Sequence, residues 1–234
     1  MSSLKTENEN LMTAGKKDYQ LFIFDMDGVL VDSLMVMQMA FRASIFDYFG
    51  FAIASRSVEA LFREYQKHLG KGFKQIMKEL GLPTELLPHF SRHSRYLADY
   101  VLPYPDIEAL LKWLTEQEKT LCVATGKEGR RAKDILRNLD LLKYFDQVVG
   151  ADQAPAKPNP SVLLDYMKHY ETSPDKTLMI GDAPADLLCA KRAGIDSAAA
   201  LWGYNQVDEL AGYQPTFYFY SPAQMRVYFS GGKA

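Results

Sequence analysis

The chain has 234 residues, 47% of them hydrophobic and 24% charged, with a formal net charge of −2, enough apolar material for one sizeable core and a smaller second one. So small a charge gives no long-range attraction for nucleic acid or an anionic membrane surface, and no apolar run approaches a membrane span. Only two cysteines occur, Cys122 and Cys189, and both read as small buried hydrophobes with no disulfide or metal role.

Residues 1–18 mix polar and charged types without a stretch long enough for a secretory signal, and are expected to form a flexible leader on a cytoplasmic protein. Leu21-Phe22-Ile23-Phe24 then predicts a strand buried on both faces. It runs directly into Asp25-Met26-Asp27-Gly28-Val29-Leu30-Val31-Asp32-Ser33, so two carboxylates stand one residue apart where that strand ends. A period of two points both the same way, and Gly28 lets the chain turn behind them. In an open α/β sheet, ligands collect just beyond such strand ends.

From Leu34 to Val101 the pattern is helical throughout. Val58, Leu61, Phe62, Tyr65 and Leu69 fall on one face, as do Phe73, Ile76, Met77 and Leu80. Breaks at Gly50, at Leu69-Gly70-Lys71-Gly72 and at Gly81-Leu82-Pro83 separate about four helices, read as a helical cap domain over 34–101. Met35, Met37 and Met39 are expected within its packing. The histidines His68, His89, His93 and His169 have no paired spacing for a metal and read as partly exposed structural residues. The insert starts directly behind the carboxylate pair, so both its ends must return to the mouth holding Asp25, with hinges near Val31 to Met35 and Ala98 to Pro103. The basic loop at Lys71 reads either as a solvated turn or, where it faces the crevice, as the place where Lys71 meets a substrate carboxylate or hydroxyl.

After Pro105, helices alternate with strands expected over 121–125, 147–152, 177–182, 197–201 and 216–220. This βαβ rhythm gives about five or six strands, mostly parallel. The fold class is therefore α/β, a Rossmann-like parallel sheet formed by 19–33 and 102–234, with the α-helical cap inserted.

Water attacks phosphate monoesters slowly, and a carboxylate nucleophile splits the reaction into two easier steps through an acyl phosphate. Asp25 takes that role and Asp27 that of general acid and base. Gly181-Asp182-Ala183-Pro184-Ala185-Asp186 places two more carboxylates at a strand end. Four acids in one crevice repel, and magnesium, which prefers oxygen ligands, relieves them. Asp25, the Asp27 carbonyl and Asp182 are its expected ligands, with Asp186 orienting a bound water or the nearby lysine. Thr125 and Gly126 offer a hydroxyl and backbone N–H groups to the phosphoryl oxygens. Lys157, in Ala156-Lys157-Pro158-Asn159-Pro160, offers an ammonium to a phosphate oxygen and to Asp25 together.

The string Asp25 to Ser33 resembles the first signature, D-x-D-G-x-[LVI]-x-D-[ST], of the haloacid dehalogenase-like hydrolase superfamily. Thr125, Lys157-Pro158 and Gly181 to Asp186 resemble its second, third and fourth signatures, in the same order, and the likeness runs from Tyr19 onward. The resemblance implies the subgroup with a helical cap at this point, and a magnesium-dependent phosphatase for a small phosphorylated metabolite, as monomer or homodimer. Phosphosugar mutases similar to beta-phosphoglucomutase are the alternative. They tend towards Glu-Asp in the fourth signature, whereas phosphoglycolate-phosphatase-like members tend towards the Gly-Asp found here. Dehalogenases and phosphonate hydrolases of the superfamily lack the acid at position 27. A non-catalytic binding module would have lost a signature residue, and none is lost. Trp202-Gly203-Tyr204 resembles a segment common among capped phosphatases and is assigned no chemistry.

Overall fold

A computed structural model describes residues 17–50 and 55–232; the leader expected over 1–18 lies almost wholly outside them. In chain order, β1 (Leu21–Phe24) and the short β2 (Val31–Asp32) precede four helices, α1 (Leu34–Phe49), α2 (Ser55–Gln66), α3 (Phe73–Glu79) and α4 (Leu86–Tyr96). The chain returns through β3 (Leu102–Pro103) to α5 (Ile107–Glu116), β4 (Thr120–Ala124), α6 (Gly129–Asn138) and β5 (Gln147–Val149). It continues through α7 (Ser161–His169), β6 (Thr177–Gly181), α8 (Pro184–Ala193), β7 (Asp196–Ala200), α9 (Val207–Leu210), β8 (Phe217–Phe219) and α10 (Pro222–Ser230).

Six strands form one sheet in the order β5-β4-β1-β6-β7-β8, every pairing parallel. Each residue of β1 is buried, and alternation along the strand divides them. Phe22 and Phe24 belong to the core on one face, Leu21 and Ile23 to that on the other, as the period of two requires. The carboxyl ends of β1, β4 and β6 therefore open side by side.

The helices between Leu34 and Tyr96 bury a third apolar cluster of their own, with Met37, Phe41, Phe62, Tyr65, Phe73 and Phe90 among its members. β2 and β3 pair antiparallel, Val31 opposite Pro103 and Asp32 opposite Leu102, so the two hinge segments are clamped together by backbone bonds. The sequence reading did not foresee this ribbon. Two further expectations need correction. Met37 is 4% exposed, but Met35 and Met39 are 56% and 48% exposed, because residues two apart on a helix face opposite directions. The strand expected over 147–152 stops at Val149, since Gly150 begins a turn in which Gln153 N donates to its carbonyl at 3.0 Å. The final helix α10 was also missed, although Ser221 caps it by accepting from Gln224 N and Pro222 follows, a readable start signal. Its Phe229 meets Tyr19 and Phe22 edge to face beneath the sheet.

Met37→Ala should destabilise the protein by about 2–5 kcal/mol and Met39→Ala by no more than about 0.5 kcal/mol. Urea unfolding of the two variants checks the helix phase, and equal losses would contradict it.

Candidate active site

Lys157 follows β5 and precedes α7, and its ammonium lies buried between the strand ends. It donates to Asp25 Oδ1 at 2.6 Å and to the Ala124 carbonyl at 2.8 Å, and sits 2.6 Å from Asp186 Oδ1. The extended segment placing it includes a cis Lys157–Pro158 bond. Burial works against the ammonium, but Asp186 and Asp25 more than offset that and hold its pKa above the ordinary value. Asp25, one residue beyond β1, donates its backbone N–H to the Ile180 carbonyl at 2.8 Å, which fixes it beside β6. The second oxygen of Asp186 accepts from Ala183 N at 3.1 Å at the start of α8.

Asp182 completes the group. Carboxylate oxygens of Asp25, Asp182 and Asp186, all buried, lie within 4.8 Å of one another. At an effective dielectric of about 20, two unit charges at that distance repel by about 3 kcal/mol, which adds to the cost of burying each ionised carboxyl. Burial, opposed by Lys157 and reinforced by Asp186 and Asp27, pushes the Asp25 carboxyl up to about 7. Burial, then Asp25 and Asp186, push Asp182 well above its ordinary value. The loop after β7 holds Asp182 in place: Tyr204 N donates to Oδ2 at 2.8 Å and Asn205 Nδ2 to the Asp182 carbonyl at 3.0 Å. Tyr204 also accepts, through its hydroxyl, from Ser33 N at 2.8 Å. The Trp202-Gly203-Tyr204 segment, assigned no chemistry from sequence, is thus a support for Asp182. Gly28 answers a matching constraint: its φ is +86°, and a Cβ there would fall 2.1 Å from Asp182 Oδ2.

Asp27 faces the same mouth but has a different partner. Its Oδ1 accepts from Ser33 Oγ and lies 3.0 Å from Lys127 Nζ. Burial raises this carboxyl, but the charge of Lys127 and the Ser33 hydrogen bond outweigh it and leave the pKa below its ordinary value. The near-neutral value asked of a general acid is therefore not met in this conformation. Lys127 was missed from sequence, as was Arg131 one turn on; both are buried. Thr125, just past β4, donates its N–H to Val149 O at 3.1 Å and accepts from Lys127 N at 3.2 Å.

Asp25, Asp27, Gly126, Lys127 and Arg131 line one side of a pocket of about 270 Å³ roofed by the helices of the insert. The Gly70-Lys71-Gly72 loop closes over it. A Cβ on Gly126 would fall 2.4 Å from the Lys71 carbonyl oxygen, so the loop backbone rests directly on the turn after β4. Lys71 lines the pocket, but its ammonium is bound to Glu79 Oε2 at 2.6 Å. The histidines of the insert are engaged elsewhere, His68 with Glu79 at 2.9 Å and His93 with Asp47 at 2.6 Å. Both cysteines are buried and free.

Residues 22–200 match the haloacid dehalogenase-like hydrolase family. The chain is 31% identical over 193 residues to a phosphoglycolate phosphatase of Aquifex aeolicus, covering 79% of this chain and 86% of that protein. It is 33% identical to a probable phosphatase, IndB, of Dickeya dadantii, covering 83% and 86%. A solved structure of a putative phosphatase from Clostridium difficile superimposes with a TM-score of 0.71 at 26% identity, covering 92% of this chain and all of that one.

Two outcomes follow from this geometry. With metal chelated, Asp25 titrates near about 7 and Asp182 well above its ordinary value, against about 4 in the unfolded chain. The folded protein then binds more protons than the unfolded chain, so stability should fall as pH rises from about 4 to about 7. Urea titrations in EDTA should show that slope, and Asp182→Asn should flatten it; an unchanged slope would mean the acids are not crowded. Separately, Gly126→Ala should displace the Lys71 loop and lower turnover by up to about 100-fold, measured as kcat/KM; wild-type kinetics would show that the loop does not close on this turn.

Proposed function

The chain belongs to the haloacid dehalogenase-like hydrolases and is a phosphatase of that family, acting on phosphoric monoesters, and we propose that it does so with magnesium, through an aspartyl-phosphate on Asp25. The observation that carries this reading is the Lys157 ammonium bridging Asp25 and Asp186 at 2.6 Å each, with Asp182 alongside. A nucleophilic carboxylate is thereby oriented at the floor of the pocket beneath the insert.

Asp25 attacks phosphorus, forming the Asp25–phosphorus bond as the bond to the substrate oxygen breaks. Asp27 gives a proton to the departing alkoxide, then takes one from the water that hydrolyses the acyl phosphate, releasing inorganic phosphate. Its lowered pKa beside Lys127 suits the second step, and the first requires it to part from that lysine. Thr125 and the N–H groups around Gly126 receive the phosphoryl oxygens, and Lys157 meets another of them.

The donor set fits a magnesium ion, being hard, all-oxygen and in excess of local positive charge. Asp25, Asp182 and the Asp27 carbonyl would hold the cation, with Asp186, paired to Lys157 and accepting from Ala183 N, beside them in the same acidic cluster. Bound there, it neutralises charge on the transferring group. Residues 34–101 serve as the lid that excludes water during transfer. The partner is a small phosphorylated metabolite, and the setting is the cytoplasm.

Phosphate release from an aryl phosphate should require magnesium and stop on chelation. Asp25→Asn should abolish it, whereas Asp27→Asn should slow it by about 10²–10⁴-fold and accumulate phosphoenzyme visible by intact mass. Retained turnover in Asp25→Asn would overturn the assignment of nucleophile, and only trace release by the wild type would favour a mutase.

A further inference from the structure

The two walls of the pocket differ in chemistry. The core side carries charged groups, Asp25, Asp27, Lys127 and Arg131. The cap side is mainly apolar, formed by Met37, Tyr65, Leu69, Phe73, Leu87 and Phe90 beside the polar Lys71, Lys74 and Gln75, with the Phe73 and Phe90 rings stacked at 4.5 Å. A phosphate ester with only a small polar remainder would leave that wall facing water. Apolar lining of this kind favours a ligand with apolar surface to bury.

Arg131 stands where the walls meet. It is 7% exposed, and its guanidinium lies 5.4 Å from the centroid of the Phe90 ring. One nitrogen donates to Ser91 Oγ at 3.3 Å and lies 3.6 Å from Glu128 Oε2. Its Nε is buried with no hydrogen-bond partner among the described residues. A buried charged donor left unmet is costly, so a partner is expected from whatever fills the pocket. Lys127, the neighbouring core-side cation, lies 3.0 Å from Asp27 Oδ1, at the phosphoryl end of the pocket.

Resting on the phosphatase reading, we infer that the substrate's alcohol carries both an apolar body, aromatic or branched aliphatic, that packs under the cap and a carboxylate that binds Arg131. With phosphorus at Asp25, such a molecule satisfies the floor, the roof and the unmet Nε together. Lys71, its ammonium on Glu79, then shapes the pocket by its backbone, and Arg131 supplies the recognition charge.

The test compares kcat/KM, with magnesium present, for the phosphate monoesters of phenyllactate, lactate and 2-phenylethanol, with phenyl phosphate as the baseline. The phenyllactate ester should exceed each of the other two alkyl esters by about tenfold or more, the scale on which apolar pockets discriminate. Arg131→Gln should bring the ratio of the phenyllactate to the phenylethyl ester down to about one, mainly through KM. Equal rates for the lactate and phenyllactate esters would remove the apolar requirement and overturn the inference. Equal rates for the phenylethyl and phenyllactate esters would remove the carboxylate and overturn it likewise. In both cases turnover of phenyl phosphate leaves the phosphatase reading standing, whereas no release from any ester, phenyl phosphate included, would overturn that reading and this inference with it. If Arg131→Gln fails to fold, the wild-type comparison decides alone.

Discussion

The active site depends on one buried ammonium. Taking Lys157 out of water costs several kcal/mol unless its hydrogen bonds are replaced by well-placed acceptors. Two accept from it, the carboxylate after β1 and the last carbonyl of β4, and the Asp186 carboxylate on α8 adds an ion pair at 2.6 Å, each from a different segment. Strand ends far apart in sequence are thereby held in one register by a single cation. The parallel sheet makes this possible, because β4, β1 and β6 are adjacent and end at the same edge.

That cation does not finish the electrostatics. Three acids around it leave negative charge in surplus, and the structure manages the surplus with donors and with space. Tyr204 N and Asn205 fix Asp182, and glycine at position 28 leaves room for its carboxylate. Contact between the insert and the core follows the same economy of volume. Gly126 admits the Lys71 carbonyl, and Gly70 lies so near α8 that a Cβ would be 3.1 Å from that of Ala183. The insert thus meets the core by backbone at the Lys71 loop and by side chains at α4, where Ser91 Oγ donates to Glu128 at 2.8 Å and Arg131 reaches Ser91 and Phe90.

Much of this was legible in the sequence, for identifiable reasons. Strands buried on both faces write continuous apolar runs, so β1 and β6 were plain, and acids directly after them marked the site. The order of Asp25, Thr125, Lys157 and Asp182 along the chain carried the rest of the constellation. What escaped was tertiary. Lys127 and Arg131 look like a solvated helix start in TGKEGRR, and only the roof of Tyr65 and Phe90 over them makes them buried. The β2–β3 ribbon is too short to leave a pattern. The Trp202 to Asn205 loop bears no acid or base of its own, and its backbone donor becomes visible only against Asp182. The methionine error was one of phase: an alternation that would line one side of a strand lies on opposite sides of α1.

The paired acids of the first signature show how position overrides residue type. Asp25 and Asp27 are chemically identical and share one mouth, yet each is matched to its own lysine. Lys157 contends with two further carboxylates and cannot prevent Asp25 from rising, whereas Lys127, aided by Ser33, carries Asp27 down. For the proposed chemistry that order must reverse, since the nucleophile has to be ionised and the acid has to hold a proton. A dication held by Asp25 and Asp182 would lower the first. The phosphoryl group of a substrate, drawing Lys127 away from Asp27, would raise the second. The division of labour between these two aspartates would therefore be completed by what enters the pocket.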